Sequence, residues 1–248
     1  MFYFYPIRLR TNHPNFILPI FIKIVTLTVI LFSIIPGIAK ADKKTPQEEI
    51  LFQHKTMLGD FDEMVQLRTI RALVAYSKTF YFIDRGRQYG ISYEALKEFE
   101  KFVNKKLKTK TLKIQVVFIP VSRDELIPSL LNGHGDIAAA NLTITTQRQK
   151  QVAFSNPFGS GVKELLVTGP SAPSIKSIDD LAGKEIHVRR SSSYYESLIQ
   201  LNTSFKKAIK SQMKLVLADE TFEDEDLLEM VNAGLIPMIV MDSHKAQF

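Results

Sequence analysis

The 248-residue sequence contains no cysteine. This absence excludes disulfide frameworks, thiolate metal sites, cysteine nucleophiles and lipidation of an N-terminal cysteine. Histidine patterns for metal binding are also missing, because no two of the five histidines are spaced i,i+4 and no HExxH motif occurs. A glycine-rich phosphate-binding loop is absent as well. The sequence therefore predicts neither a metal centre nor a cofactor.

Acidic residues are missing from the first 41 positions, which hold four of the 32 basic residues. The rest of the chain carries 28 basic and 26 acidic residues, a net charge of +2. Nucleic-acid binding needs a basic face on the folded domain, which this balance does not predict, so we expect no nucleic-acid partner. The lysines from Lys101 to Lys113 are expected to be exposed and solubilising. The acidic residues from Glu220 to Glu229 are expected to form a solvated helix face.

Residues 1–41 have the composition of an export signal. Three basic residues precede the largely apolar run Ile24–Ile35, and Ala39-Lys40-Ala41 is a small-x-small cleavage site. Alternatively, residues 16–38 carry only one charge and are long enough to be retained as a membrane anchor. Both interpretations place the rest of the chain in the periplasm.

Strand and helix patterns alternate after residue 66. Residues 42–66 form a polar linker with a short helix near Asp62–Leu67. Strands are predicted at residues 69–75, 112–119, 135–140, 185–188, 214–217 and 235–241. Helices are predicted at residues 92–106, 123–131 and 193–210, and a further helix begins at Thr221. This alternation predicts an α/β fold with parallel sheets and helices on both faces.

Two segments repeat a helix, an Asn/Gly turn and a strand. Residues 131–133 lead into a strand that ends at Asn141, and residues 231–234 lead into a strand that ends at Asp242. Open α/β sheets bind ligands at the carboxyl ends of their strands. Two such halves that face each other would form a ligand-binding cleft.

A hydroxyl, a helix N-terminus and a guanidinium converge within residues 143–148. Thr145 is placed to cap a short helix that carries Arg148 in its first turn, and Thr143 lies at the end of the preceding strand. Backbone N–H groups favour an anion, and arginine binds a carboxylate through two parallel hydrogen bonds. The pattern therefore fits a carboxylate site, although a surface arginine on a capped helix has the same spacing.

These residues resemble a known family. Thr143-x-Thr145-x-x-Arg148 with Phe154-Ser155-Asn156-Pro157-Phe158 is similar to the signature of bacterial solute-binding proteins of family 3. Further segments fit the family in the same order, at residues 73–76, 80, 179–184 and 232–234. The resemblance runs from about Gly59 to Phe248. It is closest to a subgroup, the regulatory module ahead of the catalytic domain in membrane-bound lytic transglycosylases of type F, in residues 77–82, 190–195 and 242–246.

The resemblance implies an α/β, periplasmic-binding-protein-like fold of two lobes, a Venus flytrap with its ligand between the lobes. Lobe one is expected at residues 67–168 and lobe two at residues 169–248. Family members return from lobe two to lobe one after the segment near Asp242. The sequence stops at Phe248, so the fold is expected to be C-terminally incomplete, and no transglycosylase domain with its catalytic Glu is present.

The family also implies roles for the ends of a zwitterionic ligand. Thr143 and Arg148 would hold the α-carboxylate, and Asp242 would hold the α-ammonium. Phe80 or Tyr81 would pack on the ligand side chain.

Donors from lobe two complete the implied site. Ser191, Ser192 and Ser193, at the start of a helix, would add hydroxyl and N–H groups. The residue pair Arg190-Ser191 stands where the family usually has Gly-Ser or Gly-Thr. This difference argues against a close approach of the backbone to the ligand, and also against a free amino acid as the ligand. Asn141 likewise stands where many members have a glycine or another small residue.

Three functions remain open at this point. The first is an exported, non-enzymatic module that binds an amino acid or a muropeptide-like zwitterion and regulates a lytic transglycosylase, with peptidoglycan or a transglycosylase domain as partner. The second is a substrate-binding protein that delivers an amino acid to an ABC permease. The third is an enzyme whose catalytic part is missing from this chain.

Overall fold

The computed structural model describes residues 56–246. The predicted signal peptide or anchor at residues 1–41, and the linker as far as residue 55, lie outside the described residues. Within residues 56–246, no helix combines the length and the apolar character needed to cross a bilayer. Two larger sheets organise this part of the chain, and each is the centre of one lobe.

The first lobe contains a three-stranded parallel sheet. In chain order its elements are α1 (Phe61–Leu67), β1 (Thr69–Ala75), β2 (Phe82–Asp84), β3 (Arg87–Tyr89), α2 (Ile91–Lys106), β4 (Gln115–Val121), α3 (Leu126–Leu131) and β5 (Ile137–Ala138). The sheet has the order β4–β1–β5, and β2 and β3 form a separate antiparallel hairpin. A 3₁₀ turn, Arg123–Glu125, joins β4 to α3.

The central strand β1 buries side chains on both faces. Ala72 and Val74 pack in one apolar cluster with residues of α2, whereas Leu73 and Ala75 pack in another with Leu126 of α3. Successive side chains of a strand point to opposite faces of the sheet. An unbroken apolar run therefore specifies a strand that is covered by helices on both sides.

The second lobe contains a four-stranded mixed sheet. The short helix α4 (Thr146–Gln149) precedes it, and its elements are β6 (Glu164–Thr168), β7 (Glu185–Val188), α5 (Ser193–Lys207), β8 (Lys214–Leu217), α6 (Asp224–Asn232) and β9 (Met238–Asp242). The strand order is β6–β9–β7–β8, with β6 antiparallel to β9 and the other pairs parallel. Apolar residues of α5 and α6 pack on this sheet in one cluster.

Several predicted boundaries need correction: the strands predicted at residues 112–119 and 235–241, for example, are Gln115–Val121 and Met238–Asp242. The helix predicted at residues 123–131 begins as a 3₁₀ turn and continues as α3, and the Ser122 side chain makes no capping hydrogen bond. The helix predicted from Thr221 begins at Asp224, because Glu223 is its N-cap. The expected range of lobe one, residues 67–168, includes the strand β6, which the sequence did not predict. It lies in the second sheet because it pairs with β9 from Glu164↔Asp242 to Thr168↔Met238.

Candidate ligand-binding cleft

Polar residues follow the carboxyl ends of strands in both lobes. Ser77 follows β1, Arg123 follows β4 and Arg189 follows β7, while Asp242 is the last residue of β9. Side chains from these two sheet edges contact each other across the space between the lobes. The edge that the topology makes suitable for a ligand is therefore also the place where the two lobes meet.

A buried ion pair joins the lobes at the centre of this cleft. Arg123 of the first lobe donates from Nε and Nη2 to the Glu223 carboxylate of the second lobe at 2.5–3.0 Å. Its Nη1 donates to the Ala140 carbonyl oxygen at 2.9 Å. The exposed fractions of the two charged side chains are 7% and 4%. Burial opposes the charge on Arg123, but the Glu223 carboxylate outweighs it and raises the pKa of the guanidinium.

The ion pair continues into the second lobe as a buried charge network. Arg189 donates to Glu223 at 3.1 Å and also to Asp224. Asp224 accepts in addition from Lys245 Nζ at 2.5 Å and from the Tyr194 hydroxyl at 3.2 Å. Burial opposes ionisation of Asp224, but Lys245 and Arg189 outweigh it and hold the pKa of this carboxyl below its usual range. Each buried charge of this network thus has an opposite partner, as a low-dielectric site requires.

The start of α6 makes a second contact with the first lobe. The Glu225 carboxylate accepts from Ser77 Oγ at 2.5 Å and from the Thr79 backbone N–H at 3.1 Å. At the rim, the exposed Lys78 ammonium lies 3.1 Å from Asp226 and 2.8 Å from Glu229. The lobes are therefore held together by carboxylates that the chain itself supplies.

Arg148 also spans the two lobes, but the hydrogen-bond partners of its guanidinium are neutral. Its Nη1 donates to the Thr143 carbonyl oxygen at 3.0 Å and its Nη2 to the Ser191 carbonyl oxygen at 2.8 Å. The nearest carboxylate among residues 56–246 is Glu196, at 3.8 Å from Nε. Only 7% of the residue is exposed, and burial lowers the pKa of its guanidinium. A ligand carboxylate that accepts hydrogen bonds from a buried guanidinium of this kind would stabilise its charge strongly.

The Arg148 guanidinium borders an open pocket of about 510 Å³ between the lobes. Arg123, Arg190 and Ser191 line it, together with Tyr195 and Glu196. This volume is in the range of small-molecule sites. Both charge signs occur on the walls, so the pocket suits a ligand that carries opposite charges. Within the described part of the chain, no cluster of acidic or histidine side chains is placed to hold a metal ion.

Comparison with known proteins agrees with this architecture. The family model for bacterial extracellular solute-binding proteins, family 3, matches residues 72–240. The chain belongs to this family. The resemblance inferred from the motifs is thereby confirmed, and the family description is that of extracellular binding proteins for solutes.

Curated relatives with similar sequences carry the name of an enzyme. The membrane-bound lytic murein transglycosylase F of Pseudomonas fluorescens is 30% identical over 178 residues, which cover 71% of this chain and 33% of that protein. The protein of the same name from Shewanella halifaxensis is 34% identical over 169 residues, which cover 68% and 32%. The chain therefore spans about a third of the length of the curated relatives it matches.

Solved structures with the same fold bind amino acids. An ancestral arginine-binding protein bound to arginine is 28% identical, with a TM-score of 0.55 and 72% of each chain covered. An ancestral arginine-binding protein bound to glutamine is 26% identical, with a TM-score of 0.53 and 71% and 70% covered. The predicted two-lobed, periplasmic-binding-protein-like fold is confirmed by these neighbours.

The residues implied for the ligand carboxylate lie close together in this family member. Arg148 contacts the Thr143 backbone, and the Thr143 side chain is exposed. Thr145 caps α4 as predicted, since its hydroxyl accepts from the Arg148 N–H at 3.3 Å. Ser191 meets Arg148 from the other lobe through its carbonyl oxygen, while its own N–H and hydroxyl donate to Glu220.

The remaining serines act at the start of α5. Ser192 is the N-cap of α5, accepting from the Tyr195 N–H at 3.2 Å and donating to the Arg189 carbonyl oxygen at 2.7 Å. Ser193 is the first residue of the helix and is buried. Neither residue lines the pocket, which Ser191 alone of the three serines borders.

Asp242 and the two aromatic residues occupy different surroundings. Asp242 is buried, its N–H donates to the Tyr194 hydroxyl at 3.1 Å, and its carboxylate lies 3.7 Å from Lys245 Nζ. Phe80 is half-buried in the loop after β1. Tyr81 is only 2% exposed and stacks on Phe118 at 5.6 Å, so the structure places it in the core of the first lobe.

The acidic stretch from Glu220 to Glu229 was interpreted wrongly as a solvated helix face. Glu223 and Asp224 are 3% and 5% exposed, because they neutralise Arg123, Arg189 and Lys245. Sequence reasoning missed these three cations as well. Their positions in the sequence were the available signal, because Arg123 and Arg189 follow the carboxyl ends of β4 and β7.

Proposed function

We propose that the cleft binds a small zwitterion, an amino acid or a muropeptide-like molecule, and that binding regulates a lytic-transglycosylase-type protein. The observation that carries this proposal is the buried Arg148 guanidinium. It borders an open pocket, contacts both lobes and has only carbonyl oxygens within hydrogen-bonding distance among the described residues.

The donor count of Arg148 favours a carboxylate. A guanidinium has five N–H donors, and the two described side-chain bonds use two of them. A ligand carboxylate could accept two of the rest in the bidentate arrangement that arginine favours. Ser191 contacts Arg148 from the second lobe. The affinity for a ligand bound at Arg148 would therefore depend on the separation of the lobes.

The opposite end of the ligand is assigned to acidic side chains. We propose that Asp242, which is buried and lies outside the lining of the pocket, binds the ligand ammonium; the acidic residues that line the pocket are Asp124 and Glu196. Asp242 lies 3.7 Å from Lys245, longer than a direct hydrogen bond. A ligand ammonium that reaches Asp242 would compete with Lys245 for this carboxylate.

The regulatory role is supported by the relatives named membrane-bound lytic murein transglycosylase F. We propose that this chain corresponds to a binding module and cleaves no peptidoglycan by itself. The amino-acid-bound neighbours favour a second candidate, a substrate-binding protein of an ABC amino-acid importer. The extracytoplasmic location, with residues 1–41 as signal or anchor, belongs to both proposals.

A thermal-shift screen tests the proposal and separates its two forms. The protein is heated with free amino acids, with short muropeptides and with the same compounds carrying an amidated carboxyl group. We expect the compounds with a free carboxylate to raise the Tm and the amidated compounds to leave it unchanged. Muropeptides as the only active compounds support the regulatory module, and free amino acids support the importer protein. Equal shifts with the amides would refute the carboxylate site.

A further inference from the structure

The two lobes share one structural unit at the edges of their sheets that face away from the cleft. In the first lobe, Asn104 of α2 donates to the Ile114 carbonyl oxygen and accepts from the Ile114 N–H, at 2.8 and 2.9 Å. In the second lobe, Asn202 of α5 makes the same pair of bonds with Met213, at 3.1 and 2.7 Å. In each lobe one asparagine thus fixes the turn between a helix end and the next strand.

The surface of this unit differs between the lobes. In the first lobe, residues 101–113 contain six lysines and no acidic residue, and all six lysines are exposed. Only Lys101 has an ion-pair partner among the described residues, Glu98 at 2.6 Å. In the second lobe, Lys210 pairs with Asp179 at 2.7 Å and Lys214 with Glu185 at 2.8 Å. Lys206 and Lys207 of the second lobe are also exposed and have no ion pair among residues 56–246, so two of four lysines are unpaired in the second lobe and five of six in the first.

Exposed apolar side chains lie among these lysines. Phe102 is 59% exposed, Leu112 is 65% exposed and Leu107 is 38% exposed. On the inner side, Val103 and Ile114 are buried in the core of the lobe. The turn is therefore anchored from below and presents cationic and apolar groups together on its outer surface.

We infer that residues 101–113 form a docking face for an anionic lipid surface. Charge complementarity identifies the partner as anionic, because five of the six lysines lack an ion pair within residues 56–246. Exposed phenylalanine and leucine beside lysine are the groups that enter the boundary between lipid headgroups and acyl chains. A soluble polyanion would use the lysines and gain little from Phe102 or Leu112.

The position of this docking face leaves the cleft free. Gln115, the first residue of β4, donates to the carbonyl oxygen of Arg68, which precedes β1, at 3.0 Å. The docking face therefore lies at the amino-terminal edge of the sheet, while Ser77 and Arg123 follow the carboxyl ends of the same strands. A strand of seven residues separates the two edges by roughly 23 Å. Lipid binding is thus an additional property and does not depend on the proposed ligand.

Vesicle binding by the full chain tests this inference. The measured quantity is the ratio of partition coefficients between phosphatidylcholine vesicles with about 30 mol% phosphatidylglycerol and pure phosphatidylcholine vesicles. Apolar residues before Asp42 contribute to both coefficients, so the ratio isolates the anionic term. We expect a ratio of at least about tenfold at about 0.05 M salt, falling towards one at about 0.5 M as the charges are screened.

Matched variants assign the effect to the docking face. The triple variant Lys106→Gln, Lys110→Gln, Lys113→Gln should lower the ratio about tenfold or more. The control Lys206→Gln, Lys207→Gln, Lys210→Gln removes the same charge from the second lobe and should leave the ratio unchanged. Phe102→Ser with Leu112→Ser should also weaken binding. Equal ratios for the two triple variants, or a ratio near one for the parent, would overturn the inference. Unchanged binding of the serine variant, with dextran sulfate competing fully, would assign the face to a soluble polyanion instead.

Discussion

Replacing Glu223 by glutamine removes the central charge that joins the lobes while preserving side-chain shape. Glu223 accepts three hydrogen bonds from Arg123 and one from Arg189. After the change, Arg189 retains Asp224, whereas Arg123 keeps only neutral acceptors, the Ala140 carbonyl oxygen and the single glutamine oxygen. The substitution therefore leaves the Arg123 guanidinium buried and without its counter-ion.

The magnitude follows from this burial. Removing one partner of a buried ion pair costs about 3–5 kcal/mol, because the remaining charge stays desolvated. For a protein of this size, 1 kcal/mol corresponds to about 2–4 °C in Tm, so Glu223→Gln should lower Tm by about 6–20 °C. If the lobes separate and water reaches Arg123, the decrease in Tm will lie near the lower end of this range. The radius of gyration will then increase.

Differential scanning calorimetry and small-angle X-ray scattering measure both consequences. Glu229→Gln is the matched control, since Glu229 also binds a first-lobe cation from α6 but is 69% exposed, with Lys78 at 58%. Exposed pairs contribute little to stability, so this variant should resemble the parent. Equal Tm values and equal radii for Glu223→Gln and Glu229→Gln would refute the assigned role of the buried pair.

Two further predictions concern pH and backbone geometry. The pKa of Asp224 is held below its usual range, so its stabilising contribution is present above the unfolded value of about 3.9 and is lost as the pH falls through the lower folded pKa. Asp224→Asn should therefore be less stable than the parent in urea at pH 7, and a gap that does not narrow by about pH 3 would contradict this sign. Gly90→Ala should lower stability by about 2 kcal/mol or more, because φ is +114° and the new Cβ would lie 2.3 Å from the Phe80 carbonyl oxygen. Gly161→Ala, at φ +71° in open space, is its control, and an equal loss for both would show that the contact is unimportant.

Features with local causes could be predicted from the sequence. The strand at 69–75 was located from its run of residues that favour strands, and the cap of α4 by Thr145 from the spacing to Arg148. The left-handed conformation of Asn141, at φ +49°, was not predicted, although asparagine tolerates it better than most residues. In these cases the physical cause acts over a few residues.

The charge network that closes the cleft could not be predicted in this way. Arg123 and Glu223 are 100 residues apart, and neither belongs to a local pattern that requires a partner. Charged residues are mostly exposed in folded proteins, so an acidic helix start favours the interpretation of a solvated face. Only the packing of the two lobes makes burial of both charges favourable.

Isothermal titration calorimetry with Arg148 variants tests the central proposal most directly. The titrant is the carboxylate ligand selected by the thermal-shift screen, and Lys150→Ala is the control because Lys150 is exposed just after α4. We expect Arg148→Ala to weaken binding about 30-fold or more, equivalent to at least about 2 kcal/mol. Arg148→Lys should recover little, since an ammonium does not replace the planar fork, and Lys150→Ala should bind like the parent. Equal affinity of Arg148→Ala and the parent would contradict a carboxylate site at Arg148.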